Sequence, residues 1–367
     1  MIKPNEGFIT HTVICPLPES RLNDTFCLEK LGRIAAYSLT QCGYTNIFDA
    51  SECADGLGEF LTDSQRILYI NPLCPDLKDR DISLFMLKIG ADEGCLASQS
   101  GEIIAAVTRL KPSDECTAIE RIAEQIEGER VCCDSEIIAN RWQLTKRADA
   151  FMQAQLERLC VEKNALIISD NAIVISPYAE IGVGVTIYPN VQIHSGSVIG
   201  GNCVLMASTV ISNSVIGNGC TINACQIYNS TLEEDVRIGP FCHVRPNSYI
   251  CKGARIGDFV EVKNSRIGED THISHLTYVG DSDVGKRVNF GCGTVTVNYD
   301  GTKKARTTIE DDAFIGCNTN LVAPVKIGEG AFTAAGSTIT ADVPPYALAI
   351  SRTKDMRIID EWNRGRK

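Results

Sequence analysis

An α/β N-terminal domain followed by a left-handed parallel β-helix is the fold class that this 367-residue sequence predicts. The β-helix follows from a six-residue repeat between about Ile181 and Ile339, each unit opening on an aliphatic residue with Gly often second. The pairs Ile181-Gly182, Ile199-Gly200, Ile216-Gly217, Ile238-Gly239, Ile256-Gly257, Ile267-Gly268, Ile315-Gly316 and Ile327-Gly328 mark it. Several are separated by close to three units (181 to 199, 199 to 216, 238 to 256), the length of one triangular coil. One coil cannot bury its own apolar face, so coils must stack, at about 4.8 Å per step. The α/β domain follows from a change of grammar before residue 139, where short apolar runs alternate with helical periodicity.

In chain order, His11 to Leu17 is expected as a strand and Phe26 to Cys42 as a helix stopped by Gly43. Arg66 to Asn71 is a second strand, and Glu102 to Leu110 a third, paired with Leu96 to Gln99 through Ser100-Gly101. Ser113 to Gly128 is a helix capped by Ser113 or Asp114. Leu144, Ala148, Met152, Leu156 and Leu159 recur at helical spacing and make one face of a long helix over Trp142 to Lys163. The expected division is therefore 1–138 for the α/β domain, 139–164 for a linker helix and 165–343 for the β-helix. A tail over 344–367 follows, entered at Pro344-Pro345, with a short helix over Lys354 to Trp362.

Composition narrows the function. A net charge of -11 argues against a general nucleic-acid binder, which needs a basic face for phosphates. Aromatic content of 6% suits a narrow interior filled by Ile, Val, Leu, Ala and Cys. No stretch approaches ~18 apolar residues, so no membrane span is expected, and Met1 to Gly7 lacks a signal-peptide core. The 17 cysteines are odd in number and contain no Cys-x-x-Cys, and several (Cys203, Cys220, Cys225 and Cys242) fall at small-residue positions of the repeat. They read as reduced thiols of a cytoplasmic protein, with vicinal Cys132-Cys133 the one pair suited to redox chemistry.

Chemistry must come from residues that interrupt or decorate the repeat. Val297 to Arg306 breaks it with an Asp-Gly turn and three basic residues, a sequence that suits a binding wall better than a tolerated insertion. Of five histidines, His272 and His275 share one segment. His243 lies far upstream, so a three-histidine zinc site is not expected. Arg245 and Lys263 are 18 residues apart and so occupy equivalent places on adjacent coils. Two stacked cations suit a bridging phosphate, the alternative being two separately solvated side chains.

Residues from about 140 to 352, which hold these histidines, cations and the interrupting loop, resemble the acetyltransferase half of a bacterial bifunctional family. That family is the N-acetylglucosamine-1-phosphate uridylyltransferase/glucosamine-1-phosphate acetyltransferases. The shared segments are Ile238-Gly-Pro-Phe-Cys-His-Val-Arg-Pro, Ile256-Gly-Asp-Phe-Val-Glu-Val-Lys, His275-Leu-Thr-Tyr-Val-Gly-Asp and Val288-Asn-Phe-Gly-Cys-Gly-Thr. Val297-Asn-Tyr-Asp-Gly, Ile315-Gly-Cys-Asn-Thr-Asn-Leu-Val-Ala-Pro and Ala347-Leu-Ala-Ile-Ser-Arg complete them. The resemblance implies His275 as catalytic base and Arg245, Lys263, Tyr278 and Asn289 as sugar-phosphate contacts. It implies acetyl-CoA contacts at Cys292, Asn298, Tyr299, Cys317, Ala335 and Arg352, with Lys304 alongside on the ejected loop. Cys292 and Cys317 stand where relatives carry Ala or Ser, and Asn247 replaces a Gly, all mild departures.

The N-terminal half departs further. The family's Gly-rich UTP loop has no counterpart, because His11 to Leu17 leads into Pro18-Glu19-Ser20-Arg21, and Gly56-Leu57-Gly58 follows no strand. The family's magnesium Asp and Asn align best with Asn71 and Ala139, and neither supplies a carboxylate for Mg²⁺. The domain therefore resembles a degenerate nucleotidyltransferase-like fold, from which uridylyl transfer is expected to be lost.

The expected activity is acetyl-CoA-dependent N-acetylation of glucosamine 1-phosphate, feeding UDP-N-acetylglucosamine and cell-envelope (peptidoglycan) synthesis. The amine attacks the thioester directly, His275 takes the ammonium proton, backbone N–H groups near Cys292 hold the oxyanion, and the step needs no metal. The expected partners are a sugar phosphate, acetyl-CoA and two further copies in a homotrimer. The alternatives are another amino sugar or sugar nucleotide as acceptor, a covalent route through a Cys, or a non-catalytic trimeric scaffold.

Overall fold

The computed structural model describes Ile9, 11–15, 25–26, 29–41, 44, 47–49, 66–74, 77, 79–89, 92–109 and 119–352. Expectations placed on Gly43, Pro18 to Arg21, Gly56 to Gly58, Ser113-Asp114 and Lys354 to Trp362 lie outside these residues. The chain forms two compact units, one of residues 1–157 with 174–178 and one of 158–173 with 179–367.

The first unit is built on a six-stranded mixed sheet. Its strands His11–Ile14, Ile47–Asp49 and Ile67–Ile70 run parallel, while Ile103–Thr108 is antiparallel to both Ile67–Ile70 and Gly94–Ala97. The expected hairpin is present, closed by a turn in which Gly101 N–H donates to Ser98 O at 3.0 Å. Apolar residues on both faces bury this sheet: Leu68 and Ile70 pack on the side of Ile82, Phe85 and Ile89, and Ile67 and Tyr69 on the side of Ile119 and Ile122. The first helix begins later than expected, at Leu31, because Thr25–Phe26 and Glu29–Lys30 pair as a short antiparallel ladder before it. The helix Asp79–Ile89 and the strands Ile47–Asp49 and Glu129–Cys132 were not anticipated. The long helix spans Arg141–Lys163, with Leu144, Met152, Leu156 and Leu159 buried.

The second unit is a parallel β-solenoid of about ten coils. Among the described residues its three sheets hold ten, nine and eleven short strands, every pairing parallel. One inward column per sheet forms the core. Ile181, Ile199, Ile216, Leu232, Ile250, Ile267, Val284, Ile309 and Ile327 are register partners in turn, all buried. Phe290, Thr296 and Thr333 also occupy inward places, and the two threonines accept backbone N–H bonds from Gly280 and Gly316 inside the prism. Corners recur at residues with positive φ, among them Asn190, Asn202, Asn213, Asn229 and Asn247, since Asn tolerates that region better than other non-Gly residues.

One expectation is corrected. Pro344-Pro345 does not end the solenoid: Leu348–Ala349 pairs with Phe332–Thr333 beyond them. The prolines lie at a corner, where Val343 N–H already bonds Lys326 O and no ladder donor is required of them. As expected, Cys203, Cys220, Cys225 and Cys242 are reduced thiols buried inside the coils. The hydrogen bond with the neighbouring Cys242 first, and burial second, push the Cys225 thiol up, away from thiolate character. No described helix is long and apolar enough to cross a membrane.

Candidate functional site

Coil register assembles the site at two corners of the solenoid. Asp258 and His275 are direct register partners on adjacent coils, and Asp258 Oδ1 lies 2.7 Å from His275 Nδ1. Ile273 pairs with Phe290, Phe290 with Ile315, and Ile315 with Thr333. Two residues on from each of these stand His275, Cys292, Cys317 and Ala335. Asn318 N–H donates to Cys292 O and Gly336 N–H to Cys317 O, both at 2.7 Å, which confirms the stacking of this corner. Arg352 closes the column through Nη1, which donates to Ala335 O at 3.0 Å. The imidazole thus heads a corner column of a thiol, a thiol and a methyl, with a guanidinium at the far end.

The other corner gathers charge. Val244 pairs with Val262, so Arg245 and Lys263 stack as the spacing implied. Arg245 is not a bare cation, however: its Nη1 donates to Glu261 Oε1 at 2.8 Å, which raises the guanidinium pKa further. Lys304, expected on the cofactor side, lies instead beside Lys263. That contact first, and Arg245 less strongly, hold the Lys263 ammonium pKa below the ordinary lysine value. Asp281 underlies the cluster, buried, accepting from the side-chain amides of Asn264 and Asn298. Burial works to raise its pKa, but the two amides, Lys304 and Lys263 outweigh that and keep it low.

Tyr278 bridges the corners. It lies on the sheet face between them, paired with Glu261, and its hydroxyl receives Asn298 Nδ2 at 3.4 Å. A Cβ on Gly280 would meet the Tyr278 hydroxyl at 2.3 Å, so the ring folds across that glycine toward the lysines. Asn289 sits on the other side of the His275 corner, on the outer face beside His272.

The interrupting segment is a tight hairpin. Tyr299 and Lys304 form an antiparallel bridge, and Asp300 Oδ1 accepts from Thr302 N–H, Thr302 Oγ1–H and Lys303 N–H at 2.8 Å each. Arg306 anchors its exit with two bonds to the Asp283 carboxylate, at 2.9 and 2.6 Å. Of the expected cofactor contacts, Cys292, Cys317, Ala335 and Arg352 share one column, whereas Asn298, Tyr299 and Lys304 lie at the cationic corner.

Asp258, Glu261 and Asp281 were missed by sequence reasoning. Asp258 was recoverable, since it precedes His275 by 17 residues, one coil length. His243 belongs to the ten-stranded sheet and His272 to the eleven-stranded one, and among the described residues no three His, Cys, Asp or Glu converge on a metal position.

Comparison with known proteins adds to this geometry. Residues 229–264 and 306–341 match the bacterial transferase hexapeptide family (six repeats). The chain is 49% identical over 208 residues to the bifunctional protein GlmU of Halalkalibacterium halodurans, covering 57% of this chain and 46% of that protein. It is 47% identical over 218 residues to the bifunctional protein GlmU of Thermodesulfovibrio yellowstonii, covering 59% and 48%. The chain thus spans about half the length of these curated relatives, and its similarity to them lies in the C-terminal half. A solved Arabidopsis UDP-N-acetylglucosamine acyltransferase is 20% identical, with a TM-score of 0.38, covering 51% of this chain and 69% of that one.

Proposed function

We propose that the protein is an acyltransferase that moves the acetyl group of acetyl-CoA onto the amine of glucosamine 1-phosphate. The observation that carries this reading is the His275–Cys292–Cys317–Ala335 column, with the Arg245–Lys263–Lys304 corner at the other end of the sheet face that holds Tyr278. The column would take the extended thiol arm of the coenzyme, and the cations would take the phosphate. Tyr278 and Glu261 supply the polar surface between, where a sugar ring lies. His275 accepts a proton from the acceptor ammonium, and the freed amine bonds to the thioester carbonyl carbon. The tetrahedral adduct gives up its second amine proton to water and expels the coenzyme as thiolate, which recovers a proton from the imidazolium, so that one proton is released overall. No protein atom is consumed. Similarity to the GlmU proteins over the C-terminal half supports the same chemistry.

The same reading makes the molecule a cytoplasmic homotrimer. Asn298 and Tyr299 lie away from the column of their own chain, so this part of the hairpin is suited to serve the column of a neighbouring copy. Sedimentation showing a fully active monomer would remove that part. Thiol release from acetyl-CoA, measured against a panel of amino sugars and their phosphates, tests the reading as a whole. Glucosamine 1-phosphate should be the preferred acceptor, and no turnover with any amine would overturn it.

Arg245→Ala and Lys263→Ala should each raise KM for the sugar phosphate at least about tenfold while leaving KM for acetyl-CoA within twofold. The pH dependence has a definite sign. A protonated Lys263 attracts the phosphate, so affinity is full below the lysine pKa and falls as pH rises through it. Because Lys304 depresses that pKa, the loss should begin below the ordinary lysine range, and Lys304→Ala should move it upward in a calorimetric titration.

Uridylyl transfer is proposed to be absent. Asn71 spends its amide on the fold: Nδ2 donates to Ile103 O and Oδ1 accepts Leu73 N–H, each at 3.0 Å. Ala139 offers only a methyl. Incubation with UTP, Mg²⁺ and N-acetylglucosamine 1-phosphate should release no pyrophosphate above background, and steady release would show that the domain keeps its chemistry.

A further inference from the structure

We infer that Asp258 is a positioning residue for His275, selecting Nε2 as the atom that takes the acceptor's proton. The inference rests on the acetyl-transfer reading for its kinetic consequences, but its structural content stands apart from it. Asp258 Oδ1 and His275 Nδ1 are 2.7 Å apart, within the range of a charge-assisted hydrogen bond. The carboxyl group of Asp258 is held below its usual range, chiefly by that bond, and is ionised near neutrality. An ionised carboxylate can only accept, so the shared hydrogen belongs to Nδ1. Neutral imidazole has one N–H; with it on Nδ1, the lone pair is on Nε2, and the ring, more than half exposed, presents it outward.

The backbone makes this pairing rigid. Leu276 N–H donates to Asp258 O at 3.0 Å, so the two residues are held together by the ladder as well as by their side chains. Gly257, just before Asp258, lets the coils approach so closely that a Cβ there would stand 1.8 Å from Ser274 O. Among the described residues no other side chain bonds Asp258, so the carboxylate has no competing structural duty. An exposed ion pair adds little to stability. Removing it should therefore be felt in turnover and not in folding. Once His275 holds the acceptor's proton it is an imidazolium, and the carboxylate beside it stabilises that charge until the proton passes to the departing thiolate.

Asp258→Ala tests this. It should keep the wild-type melting temperature and KM for both substrates within twofold, and lower kcat by about 10–100-fold. The double variant Asp258→Ala/His275→Ala should be no slower than His275→Ala, because a positioning residue has nothing left to position. Wild-type kcat in Asp258→Ala, or a full second loss in the double variant, would overturn the inference. A readout without turnover separates it from the proposed reaction: carbethoxylation of His275 by diethylpyrocarbonate, followed by mass spectrometry. Asp258→Ala should slow that modification, with His272 as the internal reference. If acetyl transfer fails with every acceptor but the slowing occurs, the pairing stands and the proposed activity falls. An unchanged rate at His275 would sink the pairing itself.

Discussion

His275→Ala is expected to lower kcat by about 10²–10⁴-fold, the usual cost of removing a positioned general base. The acceptor amine is largely protonated near neutral pH, and an ammonium has no lone pair to offer a thioester carbon. His275 is the side chain at the head of the corner column, and its partner Asp258 leaves Nε2 free to accept. Coenzyme binding should survive, because Cys292, Cys317, Ala335 and Arg352 lie on later coils. Raising the pH should partly restore turnover, since free amine then forms without help. His272→Ala is the control: that ring lies on the sheet face between Arg255 and Asn289, off the corner, and its loss should change kcat little. Near-normal kcat in His275→Ala at pH 7 would assign the proton to another group.

The repeat was legible because most inward places of a narrow prism are filled by small or aliphatic side chains, so one-dimensional spacing maps onto three-dimensional register. Arg245 over Lys263 could be read from an 18-residue separation for that reason. What spacing does not carry is the company a side chain keeps across coils of unequal length. Glu261 pairs with Arg245 and Asp258 with His275, yet each carboxylate lies in a segment already noted for its neighbours. The hairpin was recognised from Asp300-Gly301, but the direction in which it sends Lys304 depends on Asp281 and Asp283 beneath it. In the first unit the strands Ile67–Ile70 and Ile103–Thr108 were plain from their apolar runs. The helix Asp79–Ile89 was not, since Asp79, Arg80 and Asp81 crowd its first turn and mask the buried Ile82, Phe85 and Ile89.

Gly257→Ala should abolish most activity and destabilise the solenoid, although the residue touches no substrate. Its Cβ would stand 1.8 Å from Ser274 O, 2.6 Å from Ser274 C and 2.9 Å from Ser274 Cα, all of them backbone atoms. No side-chain rotation relieves such contacts, so the strands Arg255–Asp258 and His272–His275 must separate. Separation strains the ladder on both sides, where Arg255 N–H meets Thr271 O at 2.9 Å and Leu276 N–H meets Asp258 O at 3.0 Å. Overpacking of this kind typically costs about 1–3 kcal/mol, and more where backbone alone must yield. The same displacement lengthens the Asp258–His275 contact, so kcat should fall further than the loss of stability explains at a temperature where the variant is folded. Gly219→Asn separates the two reasons a coil uses glycine. Gly219 has φ of 70°, and a Cβ there would meet only the Asp235 carboxylate, at 2.6 Å. Asn already occupies that conformation at Asn202 and Asn213, and a carboxylate can swing aside. This variant should melt within a few degrees of the parent and keep its kcat. Thermal melts and thiol-release rates on the two variants decide the matter: a Gly257→Ala protein with parental stability and turnover would mean that the coils at the catalytic corner are not held at van der Waals limit by this glycine.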